Sequence, residues 1–517
     1  MAQASDQARD DKTTWIASWT TAGHAADPDP EESLLNIDGQ TVRQRVRLSV
    51  GGKQIRLRFS NEFGSAPLTI GSASIASGTQ RESFRTLKFS GRGSVTIPAG
   101  APVLSDPVDL AVAPGGEISI SLYFPGRVTT PTLHSLALKQ TIVSARGDFT
   151  AAAQIEPQAI SRSFIALSAV LVPELPGQRL VVAFGDSITD GDGSTFDADR
   201  SWPSVLSRRI NARREGPPIA VVNQGIAGNR LLRDGFGIKA LGASGLARFD
   251  RDVLALPGVT HVVMLEGLND LGFAGATLGD LPLAGPDETF EADDLIGGYR
   301  QLIARAHAHG TKIIGGTLTP FAGIVGVPGY YSPGKERARQ AVNTWIRSAA
   351  TFEGVIDFDA VLRDPTNPRR LQARYAAADG LHPNDAGYRA MADAIDIALF
   401  DQPQIADVSG RMFELNIYHA VPGKVSALAS RFRAASELQA RHGLNVIGYW
   451  IPQGQAAWSD TFVYLIAHAS RADADKHWSA FHADPEFLNY VRAEETEPLI
   501  QSVETVYMSP TDYSRLK

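Results

Sequence analysis

A Gly-Asp-Ser-Ile-Thr-Asp-Gly segment at residues 185–191 directly follows an apolar run at residues 180–184. A short apolar run that ends at glycine is typical of a buried strand, and the residues after it favour a helix that begins near Ser187. Ligands of α/β proteins bind at the carboxyl edge of the sheet. The sequence therefore predicts that the Ser187 hydroxyl lies at the ligand-binding edge of a parallel sheet.

Three further polar segments follow in the order that acyl-transfer chemistry needs. Gly-Ile-Ala-Gly-Asn at 225–229 follows the strand predicted at 219–223, Glu-Gly-Leu-Asn-Asp at 266–270 follows the one at 262–265, and Asp-Gly-Leu-His-Pro occupies 379–383. A serine alone is an unreactive alcohol, so a hydrolase adds a base, an orienting carboxylate and donors for the oxyanion. The four segments contain all of these residue types.

The spacing within these segments supports that chemistry. Asp379 and His382 are three residues apart, so one turn delivers both, and the carboxylate fixes the tautomer that leaves one ring nitrogen free to take a proton. Gly228 suits a close backbone approach, and the Asn269 amide donates without changing its charge. Singly, each segment is also typical of turns and helix caps. Their order along the chain favours the hydrolase interpretation.

Together, the four segments resemble the sequence blocks of the SGNH hydrolases, the GDSL-type esterases and lipases. The resemblance implies a three-layer α/β, flavodoxin-like domain in which Ser187 is the nucleophile, His382 the general base and Asp379 the carboxylate that orients it. It also implies an oxyanion hole formed by the backbone N–H groups of Ser187 and Gly228 and the side chain of Asn269. No metal or cofactor is expected.

The function implied by the resemblance is that of a serine carboxylester hydrolase with an acyl-enzyme intermediate. We expect short, acetyl-type acyl groups, because the chain has no extended apolar lid or membrane-facing helix of the kind that a long-chain lipase uses. A small ester or an acylated carbohydrate is the expected substrate. A polysaccharide O-acetyl esterase and a lysophospholipase or thioesterase of the same family remain alternatives, as does a binding protein with a vestigial site.

Aromatic residues in a loop after a later strand are candidates for the substrate pocket. The segment at 317–321 leaves the carboxyl end of a predicted strand and enters a Gly/Pro-rich loop. We expect Phe321, Tyr330 and Tyr331 to border the acyl or alcohol pocket, and Asp186 is a further substrate-binding candidate. The alternative is that the aromatic residues only anchor the loop.

Composition limits the other possibilities. A chain of 517 residues is too long for one core and suggests about three domains. The net charge of −7, with no basic block, argues against nucleic-acid and anionic-membrane partners. The absence of cysteine excludes disulfides, thiolate catalysis and cysteine-based zinc sites. No run approaches the ~20 apolar residues of a membrane span.

Three domains follow a polar start at residues 1–13, which we expect to be disordered. Ala2-Gln3-Ala4 has the small-x-small form of a cleavage site and favours a secreted or periplasmic protein whose signal peptide has been removed. The SGNH hydrolase domain is expected at residues 177–404, with strands of a parallel sheet near residues 181, 221, 262, 313 and 356 and a helix from 384 to 400.

Residues 14–176 alternate with period two and predict an all-β, jelly-roll-like sandwich. Two alternating runs, at residues 46–50 and 55–59, flank a pair of glycines and predict a β-hairpin. Trp15 and Trp19 are interpreted as core residues rather than as a carbohydrate site, because large apolar side chains are more often buried than displayed.

Residues 409–517 show the order strand, helix, strand, strand, helix, strand of an α+β ferredoxin-like domain, with the second helical stretch expected at residues 473–487. Their amino-acid sequence resembles that of the NIPSNAP domain. The resemblance implies a dimeric α+β barrel and hence a homo-oligomer. The residues that carry this resemblance are Phe413-Glu414-Leu415, Pro422-Gly423-Lys424, His442-Gly443, Phe462-Val463-Tyr464, His477-Trp478, Asp484-Pro485 and Pro510-Thr511-Asp512-Tyr513.

Overall fold

The computed structural model describes residues 13–27, 37–78, 84–213, 216–348, 351–401, 412–454 and 458–509. The chain divides into two compact units, Met1–Gln402 and Pro403–Lys517. The expectations for residues 1–12 and for residues 510–513 lie outside the described residues. Within the described ranges, no helix is both long enough and apolar enough to cross a membrane.

The first part of the first unit consists of antiparallel strands, of which the two largest sheets have five and six. Side chains at Val42 and Val46 in one sheet, and at Ile55, Leu57 and Phe59 in the other, are at most 1% exposed and belong to one apolar core. The strands are Trp15–Thr20, His24–Ala25, Asp38–Arg47, Gly52–Ser60, Leu68–Ile70, Ser72–Ala76, Arg85–Thr86, Val95–Ile97, Pro102–Leu104, Val108–Val112, Glu117–Arg127, Thr132–His134, Thr141–Arg146, Pro157–Ser161, Phe164–Ile165 and Leu167–Pro173.

The predicted hairpin at residues 46–59 is wrong. Asp38–Arg47 pairs with Glu117–Arg127 in one sheet, whereas Gly52–Ser60 pairs with Leu167–Pro173 in the other. The connection between them therefore crosses from sheet to sheet. A period of two residues reports which face of a strand is buried, but it carries no information about the strand beside it.

The second part of the first unit is a five-stranded parallel sheet, and each of the five predicted strand positions is a strand. Their order across the sheet is Ile219–Gly225, Arg179–Gly185, Val259–Leu265, Lys312–Gly316 and Gly354–Ile356. The second strand in the chain lies on one side of the first, and the third lies on the other. The strand order therefore reverses at Arg179–Gly185, which places the end of that strand at a topological switch point, where open α/β sheets form a crevice.

Helices follow these strands. They are Ser187–Asp190, Trp202–Asn211, Gly245–Phe249, Leu268–Phe273, Ala292–Ala308, Pro333–Ser348, Phe358–Leu362, Asp385–Asp393 and Ala398–Asp401, with a 3₁₀ turn at Lys239–Leu241, a π-helical turn at Asp250–Leu254 and a small ribbon of Thr277–Leu278 and Leu281–Pro282. The helix expected from 384 to 400 is interrupted, because the Asp396 side chain accepts a hydrogen bond from the Ala398 N–H and starts a new turn there.

The antiparallel sheets pack against the edge strand Ile219–Gly225 of the parallel sheet, and buried side chains of both parts form a continuous core. The Val221 N–H donates to the Ser49 Oγ at 2.7 Å, and the Thr20 Oγ1 donates to the Asn223 carbonyl at 3.0 Å. Because an open edge strand presents unpaired backbone groups, this packing covers a surface that would otherwise pair with other chains. Trp19 lies half-buried against the same core.

The second unit has one antiparallel sheet with the order Asn445–Trp450, Thr461–His468, Met412–Ala420 and Ile500–Met508. Its helices are Val425–Arg441, Arg471–His482 and Pro485–Thr496. The single helical stretch expected at 473–487 is therefore two helices. Proline cannot continue a helix but suits the first turn of a new one, and the Asp484 carboxylate caps that turn by accepting from the Glu486 N–H at 2.7 Å.

Candidate active site

Ser187 is the first residue of a short helix that begins directly after the strand Arg179–Gly185. Asp186 is the N-cap of that helix, and its Oδ1 accepts a hydrogen bond from the Ile188 N–H at 3.0 Å. Asp186 is only 2% exposed and caps this helix, and its contact with substrate stays a prediction. The cap fixes the direction in which the Ser187 side chain leaves the strand.

Ser187, His382 and Asp379 form a continuous hydrogen-bonded chain. The His382 Nε2 is 2.9 Å from the Ser187 Oγ, and the His382 Nδ1 is 2.6 Å from the Asp379 Oδ2. Because a carboxylate only accepts hydrogen bonds, the Nδ1 carries the proton and the Nε2 of the neutral ring accepts from the serine hydroxyl. The hydrogen bond between Ser187 and His382 joins residues that are 195 positions apart in the sequence.

The turn that carries Asp379 and His382 is held in place by its own backbone. The Asp379 Oδ1 accepts hydrogen bonds from the N–H groups of Leu381 and His382, both at 2.9 Å. Gly380 has a φ of +68°, and a Cβ on it would lie 2.1 Å from the Gly323 carbonyl oxygen. Only glycine satisfies both conditions, so Gly380 fixes the approach of this turn to the neighbouring loop.

The ionisation of the pair follows from these contacts. Burial opposes the charged form of Asp379, but hydrogen bonds from His382 and the backbone hold its pKa at about 2. Burial also opposes the imidazolium form of His382. The hydrogen bond to Asp379 and the nearby carboxylates of Asp192 and Asp186 outweigh that effect and raise the pKa of His382 above its usual 6.5.

Two more acidic groups titrate close to neutrality. Burial raises the pKa of Asp186 and of Asp192 to about 7 in each case, against the opposing attraction of His382. The proton balance around Ser187 is therefore shared between His382 and these two carboxyl groups rather than being set by the histidine alone.

Two backbone N–H groups predicted to bind the oxyanion follow the ends of adjacent strands in the parallel sheet. Within the described residues, the backbone N–H groups of Ser187 and Gly228 donate no hydrogen bond to the protein. Gly228 has a φ of +71°, which favours glycine, and a Cβ there would contact Leu241 at 2.4 Å. Both N–H groups are thus available to a ligand.

The side chain of Asn269 is oriented from two sides. Its Nδ2 donates to the Asn229 carbonyl at 2.8 Å, and its Oδ1 accepts from the Tyr330 hydroxyl at 2.7 Å. With one amide hydrogen and the oxygen engaged, one amide hydrogen remains for a ligand. Tyr330 is 2% exposed, so it acts on the site through Asn269 rather than through open pocket surface.

The other aromatic candidates lie beside Tyr330. Phe321 has no exposed surface, and its ring contacts those of Tyr330 and Tyr331 at centroid distances of 6.0 and 5.2 Å. Phe321 therefore packs inside this aromatic cluster, and its place at the substrate pocket stays a prediction. Tyr331 is half-buried at the edge of this cluster.

Arg248 links the segments of the site, and no feature of the sequence distinguishes it from other arginines. It is fully buried and donates to the carbonyls of Gly185 at 2.9 Å and Gln224 at 2.8 Å, to the Asn229 Oδ1 at 2.7 Å and to the Glu266 carboxylate at 3.2 Å. These partners stand at the carboxyl ends of three adjacent strands. One guanidinium therefore connects the serine turn with the segments at 224–229 and 266–270.

His134, which lies in the antiparallel part of the first unit, also contacts the site, and the sequence did not indicate it. The His134 Nε2 lies 3.2 Å from the Asp190 Oδ1, and the His134 Nδ1 lies 2.8 Å from the Ala22 carbonyl oxygen. Asp190 ends the helix that begins at Ser187. The charges of Asp190 and Asp192, together with the hydrogen bonds, overcome burial and raise the pKa of His134. Asp190 belongs to the Gly-Asp-Ser segment, and that is the only signal the sequence offers for this pair.

No group of three or more histidine, aspartate and glutamate side chains in the described ranges could hold a metal ion. The site contains a hydroxyl, an imidazole and a carboxylate in one hydrogen-bonded series, and acyl transfer requires these three groups.

Comparison with known families agrees with this class of site. Residues 183–390 match the model of the GDSL-like lipase/acylhydrolase family, and residues 413–515 match the NIPSNAP model. The chain therefore contains a hydrolase domain of the GDSL type, followed by a NIPSNAP domain.

Two solved structures are similar to parts of this chain. A GDSL-like lipase from Bacteroides thetaiotaomicron shares 19% identity, covering 44% of this chain and 90% of its own, with a TM-score of 0.31. An uncharacterized NIPSNAP-like domain protein from Burkholderia xenovorans shares 23% identity, covering 20% of this chain and 89% of its own, with a TM-score of 0.19. A search of the curated proteins finds no match to this chain.

Proposed function

We propose that this protein is a serine carboxylester hydrolase that cleaves short-chain, acetyl-type esters through an acyl-enzyme intermediate. The observation that carries the proposal is the hydrogen-bonded chain from the Ser187 Oγ through the His382 imidazole to the Asp379 carboxylate, with contacts of 2.9 and 2.6 Å. The backbone N–H groups of Ser187 and Gly228 and one amide hydrogen of Asn269 have no acceptor in the described part of the protein. A vestigial binding site would have no reason to retain both parts.

In the first step, the His382 Nε2 takes the Ser187 proton while the Ser187 Oγ attacks the ester carbonyl carbon. Negative charge develops on the carbonyl oxygen, where the N–H groups of Ser187 and Gly228 and the Asn269 amide stabilise it. The imidazolium is stabilised by Asp379. It then protonates the leaving alcohol, and the C–O bond of the ester breaks.

In the second step, the neutral His382 takes a proton from water, which attacks the acyl-serine carbonyl. The same three donors hold the second oxyanion. The tetrahedral intermediate collapses to the carboxylic acid, and the imidazolium returns its proton to the Ser187 Oγ. Losing one such donor typically costs about 3 kcal/mol of transition-state stabilisation.

Labelling with a fluorophosphonate tests the proposal directly. The full chain is expected to take up one equivalent of label, at Ser187, as identified by peptide mass spectrometry. Ser187→Ala should take up none, while Ser194→Ala in the next loop should label like the unmodified chain. A Ser187→Ala variant that keeps its esterase activity would refute the mechanism.

The preference for short acyl groups is tested with matched nitrophenyl esters. We expect the C2 ester to turn over faster than the C12 ester at equal, non-micellar concentrations, because the sequence contains no extended apolar lid of the kind that a long-chain lipase uses. Faster turnover of the C12 ester would reject this preference while leaving the serine mechanism intact.

Acylated carbohydrates and lysophospholipids or thioesters are the alternative substrates. Release of acetate from acetylated xylan, measured beside hydrolysis of a lysophospholipid and of an acyl thioester, separates the three. Activity on the polysaccharide that exceeds activity on a simple acetate ester would favour the O-acetyl esterase.

We further propose that the second unit forms a homodimer through the open face of its sheet. Strand pairing places Leu415 opposite Val506 and Phe413 opposite Met508, on the face away from Tyr418. Val506 and Met508 are 44% and 37% exposed, and two such faces would bury each other. Light scattering is expected to give twice the chain mass, and Val506→Lys is expected to give the monomer. A monomeric unmodified chain would contradict the proposal.

A further inference from the structure

The second unit contains a cavity of about 450 Å³ between its helices and one face of its sheet. We call it the aromatic pocket, and its wall residues include Tyr418, Phe432, Tyr464, Trp478, Phe481 and Phe487. The volume lies in the range of roughly 300 to 1,000 Å³ that is usual for small-molecule sites. Nothing in the hydrolase mechanism uses this pocket.

Two groups of rings form its walls. Phe432 lies 4.9 Å from Tyr418 and 5.2 Å from Tyr464, measured between ring centroids. On the helical side, Phe481 lies 4.8 Å from Phe487. Flat apolar walls of this kind favour a planar aromatic ligand, because ring faces and edges give the best contact with another ring.

The pocket also presents polar donors with no strong acceptor. Gln439 is 1% exposed and lines the cavity, and its Oε1 accepts from the Tyr449 hydroxyl at 2.5 Å. Its Nε2 has no hydrogen-bond partner in the described part of the chain. The hydroxyls of Tyr418 and Tyr464 share only a 3.5 Å contact. A donor that lines a cavity without a protein partner can be paired by a ligand, so these groups favour a ligand that brings an oxygen acceptor.

The charges at the pocket exclude an anion. Arg431 is paired with Glu494, and Glu495 adds a further negative charge among the lining residues. His482 also lines the cavity, and burial lowers its pKa, which keeps it neutral. An acceptor carried by a neutral carbonyl group therefore suits the pocket better than a carboxylate does.

We propose that the aromatic pocket binds an uncharged, planar aromatic compound that bears a carbonyl oxygen. The ring stacks against Phe432 and Phe481, and the oxygen accepts hydrogen bonds from Gln439 and the tyrosine hydroxyls. The site is one of binding, and no bond is made or broken in it.

The probe for the test is 6-propionyl-2-(dimethylamino)naphthalene, a neutral aryl ketone whose emission shifts to the blue in an apolar site. The full chain is first treated with a fluorophosphonate, so that Ser187 is blocked and the hydrolase site does not report. We expect saturable binding of one probe per chain. Unlabelled 2-acetylnaphthalene should displace the probe, whereas 2-naphthoate, with the same rings and a carboxylate, should not.

Two variants and a matched control locate the binding. Val503 lines the pocket beside Tyr418 and is 45% exposed, so Val503→Trp fills the cavity without disturbing the core. It should weaken probe binding by at least about tenfold, as should Gln439→Leu, which removes a hydrogen-bond donor. Leu488→Trp adds the same ring at a residue that is 42% exposed and outside the lining, and it should bind within about twofold of the unmodified chain.

Circular dichroism confirms that each variant keeps its fold before its affinity is compared. Unsaturable binding by the unmodified chain would overturn the proposal. Unchanged affinity in folded Val503→Trp, or displacement by 2-naphthoate as strong as that by the ketone, would overturn it as well.

Discussion

Two histidine–aspartate pairs flank the turn that carries Ser187, and they differ in what the second ring nitrogen faces. His382 is paired with Asp379 and turns its other nitrogen to the Ser187 hydroxyl. His134 is paired with Asp190 and turns its other nitrogen to the Ala22 carbonyl, which only accepts. A hydroxyl can give its proton to a ring, whereas a carbonyl cannot. The first pair can therefore serve as a base, whereas both nitrogens of His134 face acceptors, which favours its protonated form.

A third histidine sharpens this difference. His24 lies 6.5 Å from His134 between ring centroids. Its Nδ1 faces the Ala25 carbonyl, while its Nε2 accepts from the Ser135 N–H, so its contacts require the neutral ring. Burial lowers the pKa of His24 to about 4, the opposite direction to its neighbour. The partners of the two ring nitrogens, rather than burial alone, thus decide the charge of each histidine.

Asp379→Asn is expected to have the largest effect. An amide in place of the carboxylate favours the wrong tautomer of His382 and no longer stabilises the imidazolium, so kcat should fall by about 10³ to 10⁴-fold. The measurement is the steady-state hydrolysis of a nitrophenyl ester. Asp190→Asn is the matched variant in the other pair and should retain at least about a tenth of kcat, because its histidine transfers no proton. Equal losses in the two variants would remove the distinction between the pairs.

His134→Gln should destabilise the first unit. It leaves the Asp190 carboxylate, whose side chain is 7% exposed, without its cation, at a cost of about 3 kcal/mol in the free energy of unfolding. The folded pKa of His134 is raised, so this stability is fully present below the ordinary value of 6.5 and is lost as the pH rises through the folded pKa. The measurement is urea unfolding of the unmodified chain and of His134→Gln at several pH values. The difference between their free energies of unfolding should become smaller as the pH rises.

The pH profile of kcat/KM tests the base. His382 acts only when it is neutral, and its pKa is raised, so activity should fall on the acid side starting above pH 6.5. Asp186 and Asp192 have pKa values of about 7. The fall of kcat/KM on the acid side should therefore extend over a wider pH range than the titration of one group would give. A steep fall of kcat/KM centred below pH 6.5 would contradict the role of His382 as the base. His134→Gln should leave the pH at which kcat/KM falls nearly unchanged.

His24→Gln should have the smallest effect, about 1 kcal/mol above pH 6.5, where one hydrogen bond to the Ser135 N–H is disturbed. The folded pKa of His24 is depressed, so the unmodified chain loses stability as the pH falls from 6.5 towards 4, and the variant avoids that loss. The difference in the free energy of unfolding should therefore shrink and then change sign as the pH falls towards 4, whereas for His134→Gln it shrinks as the pH rises. Urea unfolding at pH 4.5 and 7.5 measures it, and a variant that is destabilised more at pH 4.5 than at pH 7.5 would break the comparison.

The amino-acid sequence by itself determined the features that depend on neighbouring residues. The Gly-Asp-Ser turn follows a buried strand as predicted, each of the five predicted parallel strands is present, and Asp379 and His382 share one turn because they are three residues apart. Strand period, capping and turn chemistry act over a few positions, and the sequence displays them directly.

Only the tertiary structure decided which distant groups meet. The pairing of Asp38–Arg47 with Glu117–Arg127, the 56-residue separation between His134 and Asp190, and the 63-residue reach from Arg248 to the Gly185 carbonyl leave no periodic signal. Such contacts arise when whole sheets pack, because a buried polar group must then find a partner among whatever residues the packing brings near. Interactions between neighbouring residues form the turn that carries Ser187. The packing of distant segments brings in the side chains that orient this turn and set the electrostatic environment around it.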